Sequence, residues 1–418
     1  MAGRRNIQRG SGRIAGALDI GTSKIACLIG EVMISNGEGD DSLRVLGLGV
    51  QRSIGVKSGV IAEPMAVEAV VRACVAQAER SAGVALREVF LSITCGRLKS
   101  LSFAAHAEIG PRGVRDNDIA RIHEGARCFA ERDHRGLVHM NPNAYRLDGV
   151  PGGDDPRGMA ASRLSADIHA VTADEGAIRN LIHLVERCDL SVAGLVAAPY
   201  ASALAVTSAE ERRLGTTVVD MGGGTTSIAV FSEGQFVHCD AILAGGHHLT
   251  FEIAQNLHAP LAEAERIKAL YASMVNAQSD VSDSFSYTTA GNSEGRLHRL
   301  TRAQLADVVR PRVEIQVREI AHRLANAGWT NGPILLTGGA SQLVGLAEFT
   351  GAALGREVVI GAGQSRLGLP AHAGSPALAA AVGLALAGPV GQVHGRDRLE
   401  GRRLGYAGRV GRWVKGGF

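Results

Sequence analysis

A short phrase occurs twice in this chain, each time between two apolar runs. Near the start it reads Asp19-Ile20-Gly21-Thr22-Ser23, and past the midpoint Asp220-Met221-Gly222-Gly223-Gly224-Thr225-Thr226. In both, an apolar run ends in an aspartate, a glycine and hydroxyl turn follows, and a second apolar run leaves. An ordinary hairpin turn can carry one such pattern. Three consecutive glycines each lose ~0.5–1 kcal/mol of folding entropy relative to Ala, and hairpin closure alone does not require them. Two such turns facing each other would form a two-sided cradle for phosphate, because successive backbone N–H groups in a tight turn make an anion nest. A chain built this way must be two related α/β halves around a cleft.

The surroundings repeat as well. Residues 14–50 read as three strands, with Asn36-Gly37 turning the second into the third, and 216–243 repeat that pattern. Residues 64–82 have helical spacing, with Val67, Val70, Val71, Cys74 and Val75 on one face. Residues 88–93 read as a strand. From 87 to 167 the apolar runs shorten and charges and prolines become frequent, which marks an inserted module. Regular texture returns with 164–171 (strand), 175–188 (helix), 191–197 (strand) and 200–208 (Ala-rich helix). Helices follow at 248–257 and 261–272. Residues 278–295, rich in Ser, Thr, Asp, Asn and Gly, read as a surface loop. A helix spans 302–327, with Pro311 expected at a boundary. A strand at 333–336 feeds a third glycine turn, Thr337-Gly338-Gly339-Ala340-Ser341, and 375–386 is another Ala-rich helix.

The turns suggest their own chemistry. Gly21 lets backbone approach a phosphate, and Thr22 and Ser23 add hydroxyl donors. Asp19 and Asp220, at strand ends, can hold magnesium through water, since Mg²⁺ takes few direct protein ligands. The third turn can bring backbone to a base or an α-phosphate. His247-His248 has the look of a metal pair, but no further ligand stands at metal spacing, and an ordinary structural role is favoured.

The ordered set Asp-x-Gly-Thr, Asp-x-Gly-x-Gly-Thr, Thr-Gly-Gly resembles the phosphate-one, phosphate-two and adenosine motifs of the actin / heat-shock chaperone / sugar-kinase superfamily. The wording of 18–31, 185–190, 219–230, 264–268, 305–312 and 334–346 is closer still to the FtsA family of bacterial cell-division proteins, and the resemblance covers 14–387 plus the C-terminal tail. It implies an α/β, actin-like ATPase fold of two duplicated halves around a nucleotide cleft, with an inserted subdomain and a C-terminal amphipathic helix. The implied parts are a disordered basic N-terminus (1–13), subdomain 1A (14–86, 168–195 and 365–387), the inserted 1C (87–167), 2A (196–242 and 310–364), 2B (243–309), a linker (388–401) and a membrane-targeting helix (402–418). The implied ATP site comprises Asp19, Gly21, Thr22, Ser23, Asp220, Gly222, Gly223, Gly224, Thr225, Gly338, Gly339 and Ala340. Gly245 and Gly246 would turn the chain beneath the nucleotide, and Glu265 and Lys268 would line its adenine and ribose pocket. Without the family, Glu-x-x-Lys is an ordinary i,i+3 surface pair.

One departure stands out. Chaperone relatives place a water-orienting Glu just before a Pro-x-Ala helix; here Ala198 occupies that position, ahead of Pro199-Tyr200-Ala201. Alanine cannot polarise water, and such a group contributes about 10²–10⁴ in rate. Slow hydrolysis is therefore expected, with ATP acting as a conformational and polymerisation switch.

The chain ends differ from the body. Arg4, Arg5, Arg9 and Arg13 come without acidic residues, as do Arg402, Arg403, Arg409, Arg412 and Lys415. Removing those nine charges from the net of +3 leaves a mildly acidic body, which argues against nucleic acid as a partner. In the tail, Tyr406, Val410, Trp413 and Val414 share one helical face, Phe418 follows, and the basic residues take the rest, the pattern of an interfacial helix. Gly405, Gly408 and Gly411 weaken it by ~1 kcal/mol each relative to Ala, so folding on lipid is expected. No run of 18 apolar residues occurs. Six cysteines without a CxxC pair suit a reducing cytoplasm.

By the same resemblance, 2B receives the C-terminal peptide of the tubulin-like protein FtsZ near Arg302, and 1C serves protomer contacts in filaments and later division proteins. The expected role is an adaptor tethering FtsZ filaments to the cytoplasmic face of the membrane at the division site. A metabolite kinase of the superfamily would need an acidic base in the cleft, and no clear candidate is visible. An MreB-like filament protein would lack an insert like 87–167, and a chaperone would need a peptide-binding domain that the remaining residues do not supply.

Overall fold

The computed structural model describes residues 13–388 except 34–39, 96, 111, 154, 276–277, 291–296, 330–331, 364–366 and 368. The first half opens with strands β1 (Arg13–Ile20), β2 (Lys24–Met33) and β3 (Ser42–Arg52), a small hairpin of β4 (Val56–Lys57) and β5 (Val60–Ile61), helix α1 (Pro64–Ala82) and strand β6 (Glu88–Ile93). The helix begins at Pro64, where a missing N–H costs nothing. It buries Val67, Val71, Cys74, Val75 and Ala78, one stripe at helical spacing, and stops at left-handed Gly83.

A separate sheet follows, made of β7 (Lys99–Glu108), β8 (Arg135–Leu147), β9 (Val150–Pro151) and β10 (Arg163–Asp174), with α2 (Asp116–Ala130) packed on it around Ile119, Ile122 and Ala126. The chain then rejoins the first half through α3 (Glu175–Arg187), β11 (Ser191–Ala197) and α4 (Ala198–Val206).

The second half contains α5 (Ala209–Leu214), β12 (Thr216–Met221), β13 (Thr226–Ser232), β14 (Gln235–Ile242), α6 (Gly246–Leu257), α7 (Leu261–Tyr271), the ribbon β15 (Ser284–Thr288) and β16 (Leu297–Thr301), and the long helix α8 (Arg302–Asn326). It is completed by β17 (Ile334–Thr337), α9 (Leu346–Leu354) and β18 (Val358–Ile360), after which the chain returns through α10 (Ala371–Gly374) to α11 (Ala379–Ala387), packed on β1, β2 and β6 of the first half.

The duplication is explicit in the topology. One sheet runs β11-β6-β1-β2-β3 and the other, read from its far edge, β18-β17-β12-β13-β14. In each, the first three strands are antiparallel neighbours and the next two add in parallel. The small sheet is inserted after β6 in one half, and α6 to β16 after β14 in the other. Helices α4 and α11 pack against each other with little side chain between them: a Cβ on Gly383 would overlap the carbonyl oxygen of Ala201. Their alanine-rich composition follows, because both are buried nearly all round.

Several expectations need correction. The strand 88–93, placed in the inserted module, lies in the first sheet between β1 and β11; its apolar alternation does not reveal which sheet it joins. The boundary at 167/168 cuts through β10, a single strand of 12 residues. The boundary at 309/310 falls inside α8, because Pro311 sits within one continuous helix instead of ending it. The described part of 278–295 is not all loop, since Phe285 and Tyr287 alternate inward in β15 beneath a Ser- and Thr-rich exterior. The N-terminal stretch apart from Arg13, the Asn36-Gly37 turn, the linker beyond Gly388 and the 402–418 helix lie outside the described residues.

Candidate functional site

The two repeated turns have the same backbone closure. Gly21 N–H bonds Lys24 C=O at 3.0 Å, and Gly222 N–H bonds Thr225 C=O at 2.9 Å. The last strand pairs before each turn, Ile20 with Ile25 and Met221 with Thr226, are equivalent. Asp19 and Asp220 therefore hold matching positions, one residue short of each turn.

The turns meet. A Cβ on Gly223 would overlap Ser23 Oγ, and one on Gly224 would lie 2.5 Å from Thr22 Oγ1. Only glycine allows this approach. Thr22 Oγ1 in turn accepts from Gly59 N–H at 3.0 Å, tying the first turn to the β4–β5 hairpin. The third turn joins through the parallel register of Asp220 with Thr337. Gly338 follows at φ +87°, where a Cβ would overlap Asp220 Oδ1 and come 2.5 Å from Met221 O.

Each aspartate is held from behind by a serine. Ser92 Oγ donates to Asp19 Oδ1 at 2.5 Å, and Ser202 Oγ donates to Asp220 Oδ2. Burial pushes both carboxyls above the usual aspartate range. The serine bonds and the charge of Lys24 oppose that, while the charge of Asp19 raises Asp220 further. A carboxylate whose proton affinity is raised by a neighbouring carboxylate suits a cation between the two.

Two adjoining cavities open here. The smaller, ≈ 60 Å³, is walled by Asp19, Asp220, the two turns, Gly338 and Ala198. The larger, ≈ 390 Å³, shares Ser23, Lys24, Gly223 and Gly339 with it and reaches Ala340. Leu249, Ala269, Val313 and Leu346 form its apolar wall, and Glu265, Lys268 and Gln316 supply polar groups. An apolar pocket of this size with a few converging polar groups fits a small-molecule ligand. Ala198, the first residue of α4, contributes only a methyl group to the wall of the smaller cavity.

The start of α6 is fastened to the second turn: Gly246 N–H bonds Gly222 O at 2.9 Å and His247 N–H bonds Gly223 O at 2.8 Å. Lys268 Nζ donates to Glu265 Oε2 at 2.7 Å, Thr250 Oγ1 at 2.9 Å and Gly246 O at 3.2 Å. Thr250 also donates to Glu265 at 2.5 Å. Burial alone would raise the Glu265 carboxyl, but Lys268 and Thr250 together hold it below its ordinary value. These residues thus form a network at the cavity wall, anchored on the buried Thr250, with Lys268 half-buried and Glu265 still open to solvent.

All the site residues expected from the glycine turns, with Gly245, Gly246, Glu265 and Lys268, converge on this cleft. Sequence reasoning missed Ser92, Ser202, Thr250 and Gln316, whose Nε2 donates to Thr226 Oγ1 at 2.8 Å. Each is a single polar residue in an ordinary strand or helix. Lys24 had a signal, standing directly after the first turn. His248 has a structural partner, its Nδ1 accepting from Gly245 N–H at 3.2 Å. Among the described residues no group of three or more metal-type side chains occurs. Arg302 lies away from the cleft at the start of α8, with its Nε 3.9 Å from Asp283 and its guanidinium 5.7 Å from the Tyr271 ring. Tyr406, Arg409, Val410, Arg412, Trp413, Val414, Lys415 and Phe418 lie outside the described residues.

Comparison with known proteins follows the same division of the chain. Residues 217–383 match the family Cell division protein FtsA, and 95–172 match the SHS2 domain inserted in FtsA, close to the observed β7–β10 module. The Cell division protein FtsA of Rhizobium meliloti is 38% identical over 97% of this chain and 95% of its own length. That of Pseudomonas aeruginosa is 31% identical over 98% and 99%, and that of Escherichia coli 30% over 95% and 95%. Among solved structures, the PilM-PilN type IV pilus biogenesis complex aligns with a TM-score of 0.63 at 19% identity, covering 90% of this chain and 98% of that one. MreB5 of Spiroplasma citri bound to ADP aligns at 0.50 and 14% identity, covering 90% and 95%. These likenesses are of fold, and the fold is actin-like. With its duplicated halves, its inserted SHS2 module and relatives matched over nearly their whole length, the chain belongs to the FtsA family of cell division proteins.

Proposed function

We propose that this cell-division protein binds ATP with magnesium between its two glycine turns and uses it as a conformational switch, while tethering FtsZ filaments to the membrane. The observation that carries the nucleotide reading is the meeting of two identically closed glycine turns, each led by a buried, serine-held aspartate. The cradle fits a phosphate chain: glycines stand wherever a Cβ would fill it, and N–H and hydroxyl donors surround it. The donor set also fits magnesium, with Asp19 and Asp220 holding its waters. Bound there, magnesium would neutralise phosphate charge.

The chain's own residues divide the remaining work. Lys24 balances charge beside the first turn. Gly338, Gly339 and Ala340 pack beneath the nucleoside, and Glu265, Lys268 and Gln316 orient it against the apolar wall. Ala198 offers no base for water, so turnover is slow; a rate above about 10 per second, the median for enzymes, would contradict this.

The remaining roles rest on family membership and on the tail pattern. The 402–418 segment folds on anionic lipid, with about 1 kcal/mol from each of five basic residues at most. The α6–α8 region around Arg302 receives the FtsZ C-terminal peptide. The SHS2 module serves self-association into filaments and contacts with later division proteins. The protein would then work peripherally, on the cytoplasmic face at the division site. Liposome co-sedimentation with ATP and FtsZ tests this: full-length protein should carry FtsZ to anionic vesicles, and a 402–418 deletion should not. Unchanged pelleting of the deletion would refute the tail assignment.

A further inference from the structure

The imidazole of His247 joins the two halves of the molecule across the cleft. Its backbone belongs to the second half, fixed by the bond from its N–H to Gly223 O at 2.8 Å. Its ring reaches the first half, with Nε2 2.9 Å from Ser23 Oγ. The contact sits where the two cavities share a wall, since Ser23 and Gly223 line both and His247 lines the larger. A Cβ on Gly223 would come 3.4 Å from the same Nε2, so ring, hydroxyl and glycine turn converge on one point. A phosphate chain threaded between the turns passes that point.

We propose that His247 is a direct ligand for the nucleotide's phosphate chain, exchanging its bond to Ser23 for one to a phosphate oxygen when the cleft is filled. This rests on the nucleotide reading above and deepens it. The exchange has a proton consequence. In this structure burial and then the charge of Lys268 hold the ring below the ordinary histidine range. Glu265 raises it, while His248 on the same helix and Arg52 from β3 lower it further. Phosphate oxygens beside the ring favour its charged form. A group whose pKa is raised on binding takes up a proton, and its contribution is full below the free pKa and fades as pH rises through the bound one. Affinity should fall by up to about tenfold for each unit of that rise.

The experiment is calorimetric titration of the full-length protein with ATP and magnesium at several pH values between 6 and 8, in buffers of different ionisation enthalpy. Wild type should take up a fraction of a proton and lose affinity as pH rises. His247→Gln, which keeps a hydrogen-bonding side chain, should bind with no uptake from this ring and a flatter pH profile. Ser23→Ala removes the bridge and keeps the imidazole, and should retain the uptake. Equal uptake in wild type and His247→Gln overturns the proposal, as does loss of uptake in Ser23→Ala while ATP still binds. Absence of saturable ATP binding by the wild type overturns the nucleotide reading, and this proposal with it.

Discussion

Substituting Gly245 by alanine isolates the joint between the second turn and α6. Its φ of −163° is extended backbone that any residue adopts, so no conformational strain enters. The added Cβ would lie 2.5 Å from Gly222 O and 2.7 Å from Gly223 O. Both obstacles are backbone, so no side chain can swing away. Restoring contact at about 3.4 Å moves the start of α6 by about 0.8 Å. That stretches the two bonds that fasten α6, now 2.9 and 2.8 Å, past useful length. Each contributes about 0.5–1.5 kcal/mol, and alanine recovers about 0.4–1 from the unfolded chain. The expected net loss is about 1–2 kcal/mol. Gly125 is the control: it lies exposed within α2, and a Cβ there meets nothing within 4 Å. Gly125→Ala should stabilise by about 0.5–1 kcal/mol. Urea denaturation of both variants, with ATP titration, measures the pair. Gly245→Ala should be the less stable and should bind ATP more weakly; equal stability of the two would refute the argument.

Three further outcomes follow from the structure. Burial and then the nearby His238 charge lower the His169 pKa to about 4, against a backbone bond to Phe236 that raises it. The unfolded chain therefore binds the extra proton between about pH 6.5 and 4, and stability should drop by up to about 3 kcal/mol as pH falls through that window. Melting curves for His169→Gln should show a correspondingly flatter dependence. Pro311→Ala restores a donor inside α8 and should raise the melting temperature, by up to about 3 kcal/mol of stability; a lower melting temperature would mean that Pro311 is better accommodated than its position implies. Ser202→Ala removes the donor that holds the Asp220 carboxyl down. The acid limb of magnesium-dependent ATP binding should move to higher pH, and an unmoved limb would show that Ser202 does not tune this carboxylate.

The duplicated phrase was enough to read the two halves and the three turns, because strand, aspartate and glycine are local signals that need no tertiary knowledge. The residues behind the aspartates were not legible. Ser92 and Ser202 sit in apolar stretches, and only strand pairing and the packing of α4 bring them to the carboxylates. Glu265 and Lys268 read as an ordinary i,i+3 pair from spacing alone, because helical period does not tell which face will line the cavity. Pro311 misled by its usual behaviour, and β15 by a composition that hid an inward Phe285 and Tyr287. The placement of β6 was a topological question: chain order says that a strand exists, while pairing with β1 says where it belongs.

The central claim is that the two glycine turns close on a nucleotide. Equilibrium titration of the full-length protein with ATP and magnesium tests it directly, with Gly223→Val as the comparison, since a branched side chain there would fill the space between Ser23 and His247. The account predicts saturable one-to-one binding by the wild type and at least a hundredfold loss in the variant. Wild-type protein that does not saturate, or a variant that binds as tightly, would contradict it.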